Sequence, residues 1–579
     1  MTGPANVLTD RLQRALGAAF GPEHAGTDPV LRPSQFADFQ ANVALALAKR
    51  LGSNPRAVAE ALVEHLDVAD VCLAPVVSGP GFVNLTLRGD WLAERTTALA
   101  DDTRLGVPAQ EAQVVPIDYS APNVAKEMHV GHLRTTVVGD ALARTLEHLG
   151  HRVVRQNHIG DWGTPFGMLI EHLLEVGEAS SEAEALVDDP NAFYQAARAN
   201  FDASPADDAE SFATRSRRRV VALQAGDPET LRLWQELIDL STSYFNSIYS
   251  ALDVTLADED LAGESTYNDE LPGICDELEK AGIATVSDGA LCVFLDGYTG
   301  REGKPVPLII RKSDGGYGYA TTDLATVRHR VRDLHADRII YVIGAPQALH
   351  LRMVFDTARK AGWLPDHVEV VHVQIGNVLG PDGKILKTRS GAPVRLRALL
   401  EEAVERATAV LAEARPELSA DDREVIARQV GIGAVKYADL SVAHDSEYTF
   451  DLDRMVSQVG NTAPYLQYAA ARIRSILRKA GSPPDGSILQ TEDAERDLML
   501  ALLGFGDVVA GVGATLEPHR LCTYLFDLAQ TFTTFYDRCP VLKAPDEEVR
   551  ASRLRLCGVT LAVLEQGLAL LGITAPERM

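Results

Sequence analysis

Three residues with chemistry in them lie close together: Lys126, His129 and His132, within Ser120-Ala121-Pro122-Asn123-Val124-Ala125-Lys126-Glu127-Met128-His129-Val130-Gly131-His132. Histidines three apart share one face of a helix, and Gly131 between them lets a ligand approach the backbone. At a helix start, unpaired N–H groups and the positive end of the dipole favour an anion. With Lys126 as a mobile cation beside them, these rings could stabilise charge building on a triphosphate as pyrophosphate leaves. The same pair could merely cap the helix. A zinc pair would more usually stand at i, i+4 with a third ligand.

The flanking pattern supplies the elements such a site needs. Val114 to Tyr119 alternates like a strand, and Pro122 and Asn123 break it. From His129 the apolar residues Val130, Leu133, Val137, Ala141 and Leu142 recur at helical spacing, and Gly150 reads as a C-cap. Arg152 to Asn157 reads as the next strand, which completes a strand–helix–strand unit. The loop after it holds Trp162 and Gly160, Gly163 and Gly167, but not at G-x-G-x-x-G spacing. The core is expected to resume near Pro307-Leu308-Ile309-Ile310. A helix follows from Tyr319 to Ala325, then the apolar strand Arg338 to Gly344, a helix starting near Gln347 and His350, and a strand from Val368 to Ile375. Such continuous apolar strands suit a parallel sheet buried on both faces. The fold class predicted is therefore α/β, a doubly wound, Rossmann-like sheet with its ligand site at the carboxyl ends of the strands. The acidic stretch of about residues 175–305 reads as a helical insertion, in which Arg215 and Arg217 to Arg219 form a solvated face or touch RNA.

The predicted domains are 1–110 (α+β), 111–378 (catalytic core), 379–454 (loop and helical stem) and 455–579 (all-α bundle). In the bundle, Arg472, Arg474, Arg478 and Lys479 give a basic helix, while Tyr524, Phe526, Phe532, Phe535 and Tyr536 supply aromatics that fill a core or stack on bases. The net charge of −26 argues against nucleic acid except where basic residues gather. No run of about 18 apolar residues is present, so no membrane partner is expected. The start lacks the pattern of a signal peptide, and the six scattered cysteines form no C-x-x-C. A reduced, cytoplasmic setting without a cysteine-based zinc site is expected.

The string Pro-Asn-x-Ala-Lys-x-x-His-x-Gly-His-Leu-Arg resembles the adenylate-forming signature of class I aminoacyl-tRNA synthetases, and in detail that of arginyl-tRNA synthetases. The resemblance implies activation of L-arginine with ATP, accompanied by Mg2+, and transfer to tRNA-Arg by a monomer without structural zinc. It places Lys126, His129, Gly131, His132 and Lys387 at ATP, with all of these but Gly131 catalytic. Asn123, Tyr319, Asp323 and Gln347, with Asp118, fall where the family binds arginine. That substrate's planar cation suits paired carboxylate oxygens. The resemblance also implies tRNA contacts at Phe82 and Asn84 in the N-terminal module, and at Tyr465, Tyr468, Tyr536 and Met579 in an anticodon-binding bundle. A buried role for Phe82 stays open. The alternatives are a class I enzyme for another amino acid and a non-catalytic tRNA-binding relative. Zinc-ligand cysteines would mark a cysteine-specific enzyme, and loss of His129 or Lys126 would mark the non-catalytic one.

Two departures from the family stand out. Pro165 replaces a common Gln. In Lys387-Thr388-Arg389-Ser390-Gly391, a reduced form of the K-M-S-K-S loop, Ser390 replaces the second lysine. Lys126 can supply that missing charge, a relocation shared by the family. Lys126→Ala should therefore impair pyrophosphate release far more than arginine binding. Ser390→Lys should restore part of the loss, because phosphate responds to nearby charge whatever its chain of origin. A double-mutant cycle on pyrophosphate exchange measures the coupling, and a harmless Lys126→Ala would contradict the relocation.

Overall fold

The computed structural model describes residues 3–178, 180, 190–205, 208, 210–300, 303–313, 315–387, 393–481 and 486–579. In the N-terminal module, strands β1 (Leu31–Pro33), β2 (Phe39–Ala41), β3 (Val76–Ser78) and β4 (Phe82–Leu85) form an antiparallel sheet of order β1-β2-β4-β3. Its helices begin and end where the sequence punctuates them. Helix Val43–Leu51 stops at left-handed Gly52, and Pro55–Glu64 starts at a proline behind Asn54, which accepts from the Arg56 N–H.

The central sheet holds β5 (Val114–Asp118), β6 (Arg152–Gln156), β10 (Arg338–Gly344) and β11 (Glu369–Ile375), all parallel, in the order β11-β10-β5-β6. Strands β5 and β10 are neighbours, with Ile340 opposite Ile117 and Tyr341 opposite Asp118. One crossover runs through helix Val130–Leu149 to β6 and the other through Ala348–Lys360 to β11, away from each other. The crevice of a doubly wound sheet opens at such a switch point. Here the chain leaves β5 into the Ser120–His132 segment and leaves β10 toward Gln347.

The resumption of the core at Pro307–Ile310 is corrected by the structure. That segment is β9 (Pro305–Arg311), which joins β7 (Ala284–Ser287) and β8 (Ala290–Thr299) in a separate antiparallel sheet. The run hid an alternation, since Leu308 and Ile310 are buried while Ile309 is exposed, the pattern of a sheet covered on one face. Residues expected to be helical form the β7–β8 hairpin, whose turn residues Asp288 and Gly289 both have positive φ, 51° and 79°. Asp-Gly is a strong hairpin signal. The rest of the insertion is helical, with Pro190–Asp202, Phe212–Gln224 and Pro228–Leu252. Arg215 and Arg219 there are paired with Glu171 at 2.7 and 3.4 Å.

Beyond β11, strands β12 (Val378–Leu379) and β13 (Tyr448–Thr449) pair in parallel, bracketing the hairpin of helices Leu396–Ala414 and Ala420–Leu440. Helices Ala463–Ala480, Asp493–Leu503, Phe505–Thr515, His519–Arg538 and Glu547–Leu570 form the final bundle. Asp493–Thr515 is apolar enough and, taken as one segment of 23 residues, long enough to cross a membrane. It is two helices of 11 residues meeting at Gly504, half buried in the bundle, and each is short of the roughly 20 residues a span requires. The N-terminal module rests on this bundle, with Asn6 Nδ2 donating to Asp507 Oδ1 at 2.6 Å and Arg496 to the Leu87 carbonyl at 2.8 Å.

Helix Val130–Leu149 lies close on β5 because position 139 lacks a side chain. A Cβ on Gly139 would fall 2.3 Å from Cβ and Cγ of Tyr119. Gly139→Ala should therefore lower stability by about 1–3 kcal/mol through overpacking, read as a lower denaturation midpoint. An unchanged midpoint would show that the helix can shift at no cost.

Candidate active site

The segment leaving β5 is strained and held from outside. Ser120, Ala121 and Ala125 have φ of 71°, 46° and 56°, left-handed values that non-glycine residues seldom adopt. Helix Pro228–Leu252 of the insertion and the β6 loop hold them there. The Tyr249 hydroxyl lies 2.8 Å from Ser120 Oγ, Asn157 Oδ1 accepts from the Ala121 N–H at 3.1 Å, and Ser241 Oγ accepts from the Ala125 N–H at 2.9 Å. Asn157 Nδ2 donates to Tyr249 at 3.0 Å, and Tyr244 accepts from the Met128 N–H at 3.2 Å. Sequence reasoning missed Asn157, Ser241, Tyr244 and Tyr249. The available signal was hydroxyl groups at 241, 244 and 249 sharing a helix face with the buried Phe245 and Ile248.

The two histidines cap the helix reciprocally. His129 Nδ1 accepts from the Gly131 N–H at 3.1 Å, and His132 Nδ1 accepts from the His129 N–H at 3.0 Å. With Nδ1 accepting, the neutral ring carries its proton on Nε2, and each histidine keeps one N–H for a ligand. The expectation of free backbone N–H groups is corrected. Val130 N donates to the Val394 carbonyl at 2.9 Å and His132 N to the His129 carbonyl at 2.8 Å, so with Gly131 the first turn is committed.

The ring centroids are 4.0 Å apart. Burial first, and Lys126 second, hold His129 below the ordinary imidazole range. Burial, His129 and Lys126 push His132 down to about 3. An unfolded histidine takes up a proton near 6.5, so His132 imposes no penalty above that pH and a growing one as pH falls toward 3. Lys126 Nζ lies 4.4 Å from the ring centroid of Tyr194, on insertion helix Pro190–Asp202. Lys387 is exposed where its loop leaves, bridged to Pro393, and Ser390 lies outside the described residues.

The pocket expected to select a cation divides into two parts. Asp323 and Tyr319 both meet His350: His350 Nε2 lies 2.6 Å from Asp323 Oδ2, and the Tyr319 ring packs edge-on at 4.8 Å. Asn123 is exposed and bridged to Gly160, and Gln347 ends the short turn after β10. Asp118 is a correction. It is 1 % exposed, and its Oδ2 accepts from Arg330, itself fully buried, at 2.7 Å. That carboxylate answers an internal guanidinium, over which the ring of Tyr341 stacks at 4.7 Å. Glu264, not singled out by sequence, borders the pocket. Burial raises it to about 7, against His158 and with help from Asp161 and Asp323.

A cavity of about 860 Å³ adjoins Tyr319 and Glu264, walled by Trp162, Trp234 and Lys312. The two indoles meet edge to face at 5.9 Å. On the bundle, Tyr465, Tyr468 and Arg472 follow one face of a helix. Tyr468 is 45 % exposed, and Arg472 stacks on Tyr536 at 4.3 Å. Met579 is a correction to a direct surface contact. It is buried among Leu411, Ile426, Val430 and Ala471, and Arg415 holds its carbonyl. Asn84 likewise faces inward, accepting from Gln40 and donating to Ser78, both at 2.8 Å, while Phe82 is half-buried.

The two aspartates should separate by experiment. Asp118→Asn strips a buried guanidinium of its counter-charge and should cost roughly 3–5 kcal/mol of stability. Asp323→Asn should instead weaken arginine binding with a far smaller shift in the denaturation midpoint. Unchanged stability and a raised arginine KM in Asp118→Asn would put that carboxylate on the substrate.

Residues 94–452 match the family model for the catalytic domain of class I (R) tRNA synthetases. Residues 6–87 match the arginyl tRNA synthetase N terminal domain, and residues 466–579 the DALR anticodon binding domain. The arginine–tRNA ligase of Thermobifida fusca is 71 % identical over 582 residues, covering 100 % of both chains. The crystal structure of arginyl-tRNA synthetase from Plasmodium falciparum superposes with a TM-score of 0.85 at 28 % identity, and that of Thermus thermophilus with 0.81 at 27 %, each covering 100 % of both chains. With the signature capping the helix after β5 and both flanking modules present, the chain belongs to the arginyl-tRNA synthetase family.

Proposed function

We propose that the chain joins L-arginine to tRNA-Arg in two steps and accelerates both by positioning and charge stabilisation, without a covalent enzyme intermediate. A carboxylate oxygen of arginine attacks the α-phosphorus of ATP, and pyrophosphate leaves. A ribose hydroxyl at the tRNA 3′ end then attacks the carbonyl of the adenylate, and AMP leaves. Asp323, with Tyr319 over it, takes the guanidinium, while Asn123 and Gln347 serve the α-amino and carboxylate groups. Asp118 acts from beneath through Arg330. Nε2–H of His129 and of His132 donate to the phosphates beside Gly131, and Lys126 and Lys387 neutralise the leaving group.

Mg2+ arrives on the triphosphate. Lys126, His129 and His132 offer nitrogen, and the nearby Glu127 carboxylate is paired with Arg395, so Mg2+, which takes oxygen ligands, would be held by the phosphates and water. The acceptor end has to reach the activated carbonyl, and the cavity edged by Trp162 and Trp234 beside Tyr319 offers aromatic surface for an unpaired base. The stripe Tyr465–Tyr468–Arg472–Tyr536 suits the anticodon loop, with Phe82 and its strand at the outer corner of the tRNA. Met579 secures the chain end behind the stripe. The protein works as a cytoplasmic monomer and needs neither structural zinc nor a membrane.

The observation that carries this reading is the reciprocal histidine cap, which commits both Nδ1 atoms as acceptors and so leaves an Nε2–H on each ring for a ligand. His129→Ala should slow arginine-dependent ATP–pyrophosphate exchange by about a hundredfold, with tRNA affinity kept. Exchange at the normal rate would remove His129 from the chemistry.

A further inference from the structure

Arg134, two residues past His132, is a buried cation that the reading above does not use. Its guanidinium is 1 % exposed. Nε donates to Asp439 Oδ1 at 2.8 Å, Nη1 to the Ser446 carbonyl at 2.6 Å and Nη2 to the Ala443 carbonyl at 3.5 Å, and the Tyr448 ring centroid lies 5.3 Å from Cζ. Asp439 is fully buried in the last turn of helix Ala420–Leu440. Removing both charges from water is costly unless geometry and further hydrogen bonds compensate, so such a pair is weak evidence for stability and better evidence for a fixed register.

What it fixes is the root of the loop that carries Lys387. Residues 441–447 run from Asp439 into β13, and β13 pairs with β12, from which the loop carrying Lys387 departs. The joint is tight. Gly376 N donates to the His444 carbonyl at 2.9 Å, His444 Nδ1 lies 2.8 Å from the Gln374 carbonyl, and a Cβ on Gly376 would fall 2.6 Å from the Ser446 carbonyl. The returning end of the loop is tied separately to the histidines. His129 bridges Arg395, Leu396 N donates to the Met128 carbonyl at 2.9 Å, and Arg395 pairs with Glu127 at 2.8 Å. The loop is thus pinned to the histidine helix at both ends, and Arg134 makes the pin at the outgoing end.

We propose that the Arg134–Asp439 pair is a positioning element for adenylate formation, which sets the loop bearing Lys387 against the triphosphate site of His129 and His132. This rests on the roles given to those residues. Arg134 touches neither substrate. It acts through the three-point fork of a guanidinium, which an ammonium cannot reproduce.

The test compares Arg134→Lys, Asp439→Asn and Tyr448→Leu with the parent by ATP–pyrophosphate exchange, rates being counted per folded molecule by active-site titration. Arg134→Lys should lower kcat by roughly tenfold to a hundredfold, the cost of displacing reacting groups by about an ångström, while arginine KM and tRNA affinity stay within about twofold. Tyr448→Leu, which keeps the ion pair, should lose a few-fold. A parental kcat per folded molecule in Arg134→Lys and Asp439→Asn would overturn the proposal and reduce the pair to a structural one. If His129→Ala also keeps normal exchange, the underlying reading fails as well; if His129→Ala is impaired, only this inference fails. Hydrogen exchange on the parent protein decides the matter should the variants not fold. ATP plus arginine should slow exchange at residues 378–387 and 441–449 together. Protection confined to 378–387 would overturn the coupling.

Discussion

Everything in this site depends on how one helix begins. A helix start must satisfy its first N–H groups, and here the two histidines do so for each other's turn, with Gly131 and His129 as donors. The requirement fixes both Nδ1 atoms as acceptors, and the tautomer follows: each ring presents an Nε2–H. Burial keeps the rings neutral, so in the proposed reaction they would meet phosphate as oriented donors, with Lys126 and Lys387 supplying the charge. Stacked at 4.0 Å, two imidazolium rings would repel. The neutral state of both rings is therefore built into the cap.

Such a cap has to be delivered to the end of β5 through a short segment, and strain is what that costs. Three non-glycine residues in the left-handed region would relax if released. Hydroxyl and amide groups of helix Pro228–Leu252 and of Asn157 hold them. The insertion thus helps shape the candidate site, since without it Ser120 and Ala125 lose the hydroxyl partners that hold them. The same insertion brings Tyr194 against Lys126 and Trp234 against Trp162.

Much of the frame was legible because local signals and fold agree there. The alternation of Val114 to Asp118, the spacing from Val130 to Leu149, the cap at Gly150 and the apolar run Arg338 to Gly344 each appear as elements close to the bounds their residues predict. The failures have physical causes. The run Pro307–Ile310 passes for a core strand because a half-buried strand and a fully buried one look alike over so few residues. Asp118 looked like a substrate contact because a strand-end carboxylate is legible, whereas its partner Arg330 lies 212 residues away. Met579 could not be separated from a surface residue because its burial depends on helices Leu396–Ala414 and Ala420–Leu440 folding against it. Long-range partners are what the sequence conceals, and at Asp118, Arg134 and Ser120 they decide the role of the residue.

The most direct measurement is the nitrogen NMR spectrum of the imidazole rings of His129 and His132, assigned by single substitutions and followed from pH 5 to 8. Expected are two neutral rings at pH 7, each with an unprotonated Nδ1 and a protonated Nε2, with the tautomer kept when ATP binds. A ring protonated on Nδ1, or a doubly protonated ring at pH 7 in the free protein, would contradict the cap as the device that aims the donors.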